Sequence, residues 1–160
     1  MALIDFALQY AARGWHVFPL RPRSKLPLLS KKEGGRGFHD ATTDRQQLEA
    51  WWAREPNANI GLATGASGLV VIDVDGPEGL KELEAAARQH GGEWPMPRTL
   101  VSRTGRAGGF HLFYQQPAGA TIPSSQVKGS HVDIRGSSGY VILPPSIHPS
   151  GAVYQWVDLP

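Results

Sequence analysis

The nine residues Gly68-Leu69-Val70-Val71-Ile72-Asp73-Val74-Asp75-Gly76 constrain the fold more than any other stretch. Their apolar, largely β-branched opening reads as a buried strand. It ends in two carboxylates one residue apart. Side chains at i and i+2 of a strand share a face, so Asp73 and Asp75 are expected side by side at the strand's end. No Lys or Arg in the stretch neutralises them, and like charges that close raise each other's pKa unless a cation intervenes. A divalent ion is the simplest such cation, and oxygen-only donors suit a hard one, Mg²⁺ or Mn²⁺. The competing reading is a helix cap, because Gly76-Pro77-Glu78 reads as a helix opening. One Asp would serve that purpose; a second on the same face needs another role.

The chain has 160 residues, 41% of them hydrophobic, which suits one domain over 1–160 with a real core and room for two lobes. No run of eighteen apolar residues calls for a membrane span. Asp5 interrupts the early apolar stretch, against a signal peptide, and the absence of cysteine excludes disulfides and thiolate metal sites. A cytoplasmic location is the expectation. The formal charge of +2 is modest, but Arg21, Arg23, Lys25, Lys31, Lys32 and Arg36 crowd one Pro/Gly-rich loop with only Glu33 against them. Such a loop reads as a phosphate site.

Taken in order, Ala2 to Arg13 carries a helical stripe that stops at Gly14, and Trp15 to Leu20 is a short strand. Asp44 to Arg54 is helical, with Leu48, Trp51 and Trp52 on one side. Asn59 to Thr64 is a strand, and with the central strand it is expected to form a hairpin. Glu78 to Gln89 is a helix. Extended segments follow at Thr99 to Thr104, Phe110 to Gln115, His131 to Arg135, Gly139 to Leu143 and Ala152 to Val157, with Pro117 to Gly129 the least structured part. Helices in the first two-thirds and strands dominating the second half indicate an α+β fold with a largely antiparallel sheet.

Two further motifs carry chemistry. Gly108-Gly109-Phe110-His111 starts a strand with glycines that let backbone approach a ligand, followed by a histidine. Val132-Asp133-Ile134-Arg135-Gly136 places a carboxylate in a strand, where Asp is disfavoured. If buried, Asp133 must be paired or metal-bound, and Arg135 on the same face is one available partner.

The ordered set of Gly14-Trp15-His16-Val17-Phe18-Pro19-Leu20, Lys25-Leu26-Pro27, Ala41-Thr42, Trp51-Trp52, Asn59-Ile60-Gly61, Ile72-Asp73-Val74-Asp75, Gly108-Gly109-Phe110-His111, Val132-Asp133-Ile134-Arg135-Gly136 and Pro144-Pro145-Ser146 resembles the primase–polymerase (prim-pol) family. That family belongs to the archaeo-eukaryotic primase superfamily and is found in plasmid and phage replication proteins. The resemblance implies a two-lobed α/β unit whose catalytic lobe has a sheet like that of an RNA-recognition motif. It also implies that Asp73, Asp75 and Asp133 hold the divalent metals and that His111 contacts the nucleotide's phosphates. A serine often stands two places before the family's histidine; here that place is Gly109.

The expected activity is template-directed DNA primase and polymerase chemistry, moving a nucleotidyl unit from a (d)NTP to a 3′-hydroxyl on single-stranded DNA template and primer. Lys25, Arg103, Arg106 and His111 are the candidate triphosphate clamp, because charge develops there in the transition state. The remaining basic-loop residues are expected to follow the template backbone. The resemblance further implies a helicase in a longer chain, and the end at Pro160 without a closing helix suggests a fragment of one. Two other readings stay open. An Asp-x-Asp pair also serves other metal-dependent nucleotidyl or glycosyl transferases. A non-catalytic nucleic-acid-binding module would need exposed aromatics on central strands, for which Phe113 and Trp15 are the candidates.

Overall fold

The computed structural model describes residues 1–157. Helix α1 spans Leu3–Ala12 and α2 spans Arg45–Arg54, the latter capped by the Asp44 carboxylate, which accepts from the Gln46 amide. Both pack on a three-stranded antiparallel sheet in the order β1 (Val17–Leu20), β2 (Asn59–Ala63), β8 (Tyr140–Leu143). The second sheet is antiparallel and six-stranded. Its order is β6 (Ser125–Gln126), β7 (Val132–Arg135), β3 (Leu69–Val74), β5 (Phe110–Gln115), β4 (Leu100–Arg103), β9 (Gln155–Val157). Two antiparallel sheets with flanking helices make the α+β class expected from the sequence.

The expected hairpin between β2 and the central strand β3 does not form. Each strand is apolar and buried along nearly its whole length, and each has both edges filled: β2 by β1 and β8, β3 by β5 and β7. The turn after Ala63 instead carries the chain from one sheet to the other. Its Thr64 hydroxyl donates to the Gly136 carbonyl at 2.7 Å.

One face of the six-stranded sheet packs into the core formed by α1, α2 and the three-stranded sheet. Val71 and Phe113 are directly opposite each other on β3 and β5 and both enter the main core. Trp15 stacks on Phe113 with ring centres 6.0 Å apart and on Tyr10 at 5.6 Å. The other face receives α3 (Gly76–Gln89), where Gly79 sits so close to Val74 and the His131 carbonyl that a Cβ would lie 2.6 Å from that oxygen.

Asn59, 1% exposed, ties the lobes' loops together. Its amide donates to the carbonyls of Ser24 and Ile147 at 3.1 and 2.7 Å, and its carbonyl accepts from the Ile147 amide at 2.9 Å. The basic loop is thereby fixed to β2 and to the Pro144–His148 turn. Asn59→Ala leaves these buried groups unpaired and is expected to cost about 2–4 kcal/mol, read as a lower denaturant midpoint with unchanged slope.

Candidate active site

Cross-strand register, rather than any one loop, assembles the site. Residues directly opposite on neighbouring strands share a face. Reading across the six-stranded sheet, Gln126, Asp133, Asp73, His111, Ser102 and Trp156 stand in one row. The same face carries the Val71–Phe113 row into the core two residues earlier on β3, so the polar row lies where the packed interface opens into a cleft. That is where a strand should change from apolar to charged, and β3 does so at Asp73.

Asp73 and His111 are cross-strand neighbours, with Oδ1 of the acid 3.3 Å from Nε2 of the imidazole. Burial acts to raise the Asp73 pKa. The hydrogen bond and charge of His111, with Arg135 and Lys25 further off, outweigh it and hold the carboxyl below its ordinary value. Asp73 is therefore an anion at neutral pH. His111 is 5% exposed, and its Nδ1 has no partner; the Oγ of Ser102, directly opposite on β4, is likewise buried and unpaired. Asp73 and His111 line one wall of a cavity of about 240 Å³, whose other walls include Lys25, Arg135, Tyr140 and Tyr154. Burial, followed by the nearby Asp73 and Asp75 charges, pushes the Tyr154 hydroxyl pKa well up, so it stays a neutral phenol.

Asp133 stands directly opposite Asp73 on β7. Its Oδ2 accepts from Gln126 Nε2 at 3.0 Å and from Arg135 Nη2 at 3.1 Å. Asp75 occupies the cap position of α3, yet its side chain caps nothing; it pairs with Arg106 Nη1 at 3.2 Å, from the β4–β5 turn. Capping therefore does not account for the second carboxylate. Asp75 and Asp133 line a second hollow with Gln126, Lys128 and Ser130. That hollow's rim is held to α3 by Glu82, which accepts from the His131 amide and ring and from the Ser130 hydroxyl. The His131 ring bond, then the amide and hydroxyl bonds, draws the Glu82 pKa down to about 2.

The sequence-expected residues are thus gathered on one side of the sheet, with differences. Asp73, His111 and Lys25 share the first cavity, and Asp75 and Asp133 share the neighbouring hollow. Arg106 reaches the site, on the Asp75 side. Arg103 does not join them: Ser102 faces the row, so the pleat turns its neighbour Arg103 to the opposite face, level with Phe110 and Val74. Three site residues are not legible in the sequence, and a fourth is legible in part. Arg135 was legible there only as a partner for Asp133, and Ser102, Tyr140 and Tyr154 carry no local motif.

Among the described residues no group of three or more His, Asp or Glu side chains is drawn together as a ready metal cluster. The donor chemistry nonetheless suits a hard divalent ion. Asp73, Asp75 and Asp133 are oxygen donors on one side of the sheet, and their ion pairs and hydrogen bonds fall on one oxygen each, Oδ1, Oδ2 and Oδ2. Each meets one residue of this chain, His111 for Asp73, Arg106 for Asp75 and Arg135 for Asp133.

The model of the N-terminal domain of bifunctional DNA primase/polymerases, Prim-Pol, matches residues 7–160. The chain belongs to the Prim-Pol family. At family level this makes it a nucleotidyltransferase of the DNA primase/polymerase type. No curated protein matches the chain. The Prim-Pol match spans both sheets and includes the Asp73, His111 and Asp133 strands. The alternative of a passive base-stacking module loses its candidates here, because Phe113 is 3% exposed and Trp15 is stacked between Tyr10 and Phe113. Among the described residues no helix is long and apolar enough to cross a membrane.

Proposed function

We propose that this Prim-Pol domain carries out template-directed transfer of a nucleotidyl unit from a (d)NTP to a primer 3′-hydroxyl, with Mg²⁺ or Mn²⁺ held by Asp73, Asp75 and Asp133. The observation that carries this reading is the Asp133–Asp73–His111 row at the cleft, beside a cavity that also holds Lys25 and Arg135. The chemistry such ions supply when bound is activation of the attacking hydroxyl and charge balance at the leaving pyrophosphate.

The protein's own part is positioning. At about 240 Å³ the cavity falls below the roughly 300–1,000 Å³ of ordinary ligand pockets. It takes the triphosphate, leaving sugar and base over the open cleft. Lys25 supplies a mobile point charge from a loop pinned by Asn59 and by the Tyr140 hydroxyl, which donates to the Lys25 carbonyl at 2.8 Å. His111, held by Asp73, presents its imidazole to the phosphates. The Asp75–Arg106 pair stands at the neighbouring hollow, where it offers a further cation to the nucleotide.

The template follows the basic loop. A hollow of about 460 Å³ beyond Lys25 has an apolar floor that includes Leu26, Phe38 and Tyr140 and a rim that includes Arg21, Lys31 and Arg36. It shares Phe38 and Tyr140 with the triphosphate cavity. Bases against the aromatic floor and phosphates along the cations would give sequence-tolerant, salt-sensitive binding of a single strand.

Incorporation of a labelled nucleotide into a primed single-stranded template, with and without Mn²⁺, tests the proposal. Incorporation that needs neither template nor divalent metal, or none under any condition, overturns it. In the same assay Lys25→Ala is expected to raise the nucleotide KM about tenfold with little change in kcat, since it removes a charge-assisted contact to the phosphates. An unchanged KM with lost DNA binding would move Lys25 to the template.

A further inference from the structure

Among the described residues, Arg135 is the one cavity residue whose ion-pair partner lines the neighbouring hollow. Its side chain lines the triphosphate cavity, while its partner Asp133 lines the neighbouring one. The pair is a single contact, Nη2 to Oδ2 at 3.1 Å, with the arginine side chain 30% exposed. A guanidinium carries several donors in a planar fork that matches a phosphate edge, so one carboxylate contact leaves most of that capacity unused. With the Asp133 side chain only 16% exposed, each charge leaves this partly buried pair only where another partner takes its place. On the same side of the site lie Lys25 and His111, and the guanidinium stem runs past Gly139, where a Cβ would lie 3.9 Å from Arg135 Cδ.

We propose that Arg135 is a second triphosphate-binding residue, parked on Asp133 in the empty protein and released to the nucleotide's phosphates when that carboxylate turns to a cation. This rests on the nucleotidyl-transfer reading of the cavity but adds a residue and a coupling to it. Metal binding and phosphate binding then assist each other through the protein itself, because each removes the other's competitor for one half of the pair.

The test needs no turnover. Inorganic triphosphate is titrated into the whole chain in EDTA, and Mn²⁺ alone is titrated with electron paramagnetic resonance as readout. Arg135→Gln is expected to weaken triphosphate binding about tenfold and to tighten Mn²⁺ binding, since Asp133 loses its resident counter-ion. Asp133→Asn is expected to do the reverse: tighter triphosphate, weaker Mn²⁺. The double variant decides the cause, because the Asp133→Asn gain in triphosphate affinity must vanish when Arg135 is also replaced. Persistence of that gain, or unchanged triphosphate affinity in Arg135→Gln, overturns the proposal. If the Gln variant does not fold, Arg135→Lys carries the test and must weaken triphosphate binding at least about threefold, because a point charge lacks the fork. Failure of the primer-extension assay would leave these equilibria intact, so the two claims fail separately.

Discussion

Asp73→Asn is expected to lower nucleotide incorporation by about three orders of magnitude while the protein stays folded. The scale is that of removing one preorganised group from the place where charge develops. Asp73 occupies the middle of the polar row, with His111 on one side and Asp133 on the other, so it stands between the two halves of the site. The amide keeps the shape and the strand. What it removes is an anion that the structure keeps ionised against the pull of burial. A single-turnover extension rate within tenfold of wild type would exclude Asp73 from the chemistry. Arg103→Ala is the matched control. It also removes a charge from the sheet, but from the far face, and should leave the rate and the nucleotide KM alone.

Gly136→Ala is expected to cost about 3 kcal/mol, at the upper end for an added methyl group in a packed site. At roughly 2–4 °C per kcal/mol for a chain of this size, the melting midpoint should fall about 6–12 °C. The added Cβ would lie 2.1 Å from the Ile122 carbonyl oxygen and 2.9 Å from backbone carbons of Ile122 and Pro123. These are main-chain atoms that cannot rotate aside. They cannot retreat either, because the same Ile122 oxygen accepts from the Ser137 amide at 2.8 Å, and the Ser124 hydroxyl accepts from the Gly136 amide at 2.9 Å. The strain sits one residue from Arg135 and three from Asp133, so activity should drop along with stability. A melting curve that superimposes on wild type would mean that the 122–124 segment yields freely.

Much of this was legible in the sequence because it is local. The α1 stripe ending at Gly14, the helix after Pro77 and the alternation of His111 with Phe113 each follow from spacing alone, and the structure has all of them. The end of β3 was legible as a charged site because an apolar strand rarely closes on two acids. What was not legible is pairing. Nothing local says that β2 has both edges occupied, so adjacency of β2 and β3 in sequence does not make them neighbours in a sheet. Nothing local sets which of Ser102 and Arg103 faces the row; only the register with β5 decides it. Tyr140 and Tyr154 reach the cavity from strand β8 and from the segment before β9, and they enter it through tertiary packing alone.

The single-level row across the sheet also sets a rule of parity for how this chain can vary. Adding or deleting one residue within β3, β5 or β7 would rotate Asp73, His111 or Asp133 onto the α3 side and bring an isoleucine, leucine or valine into the cleft. A change of two residues would restore the facing and only shift the acids along the groove. The connecting loops carry no such restriction, so length variation tolerated by catalysis should accumulate in the turns and arrive in even steps inside the strands.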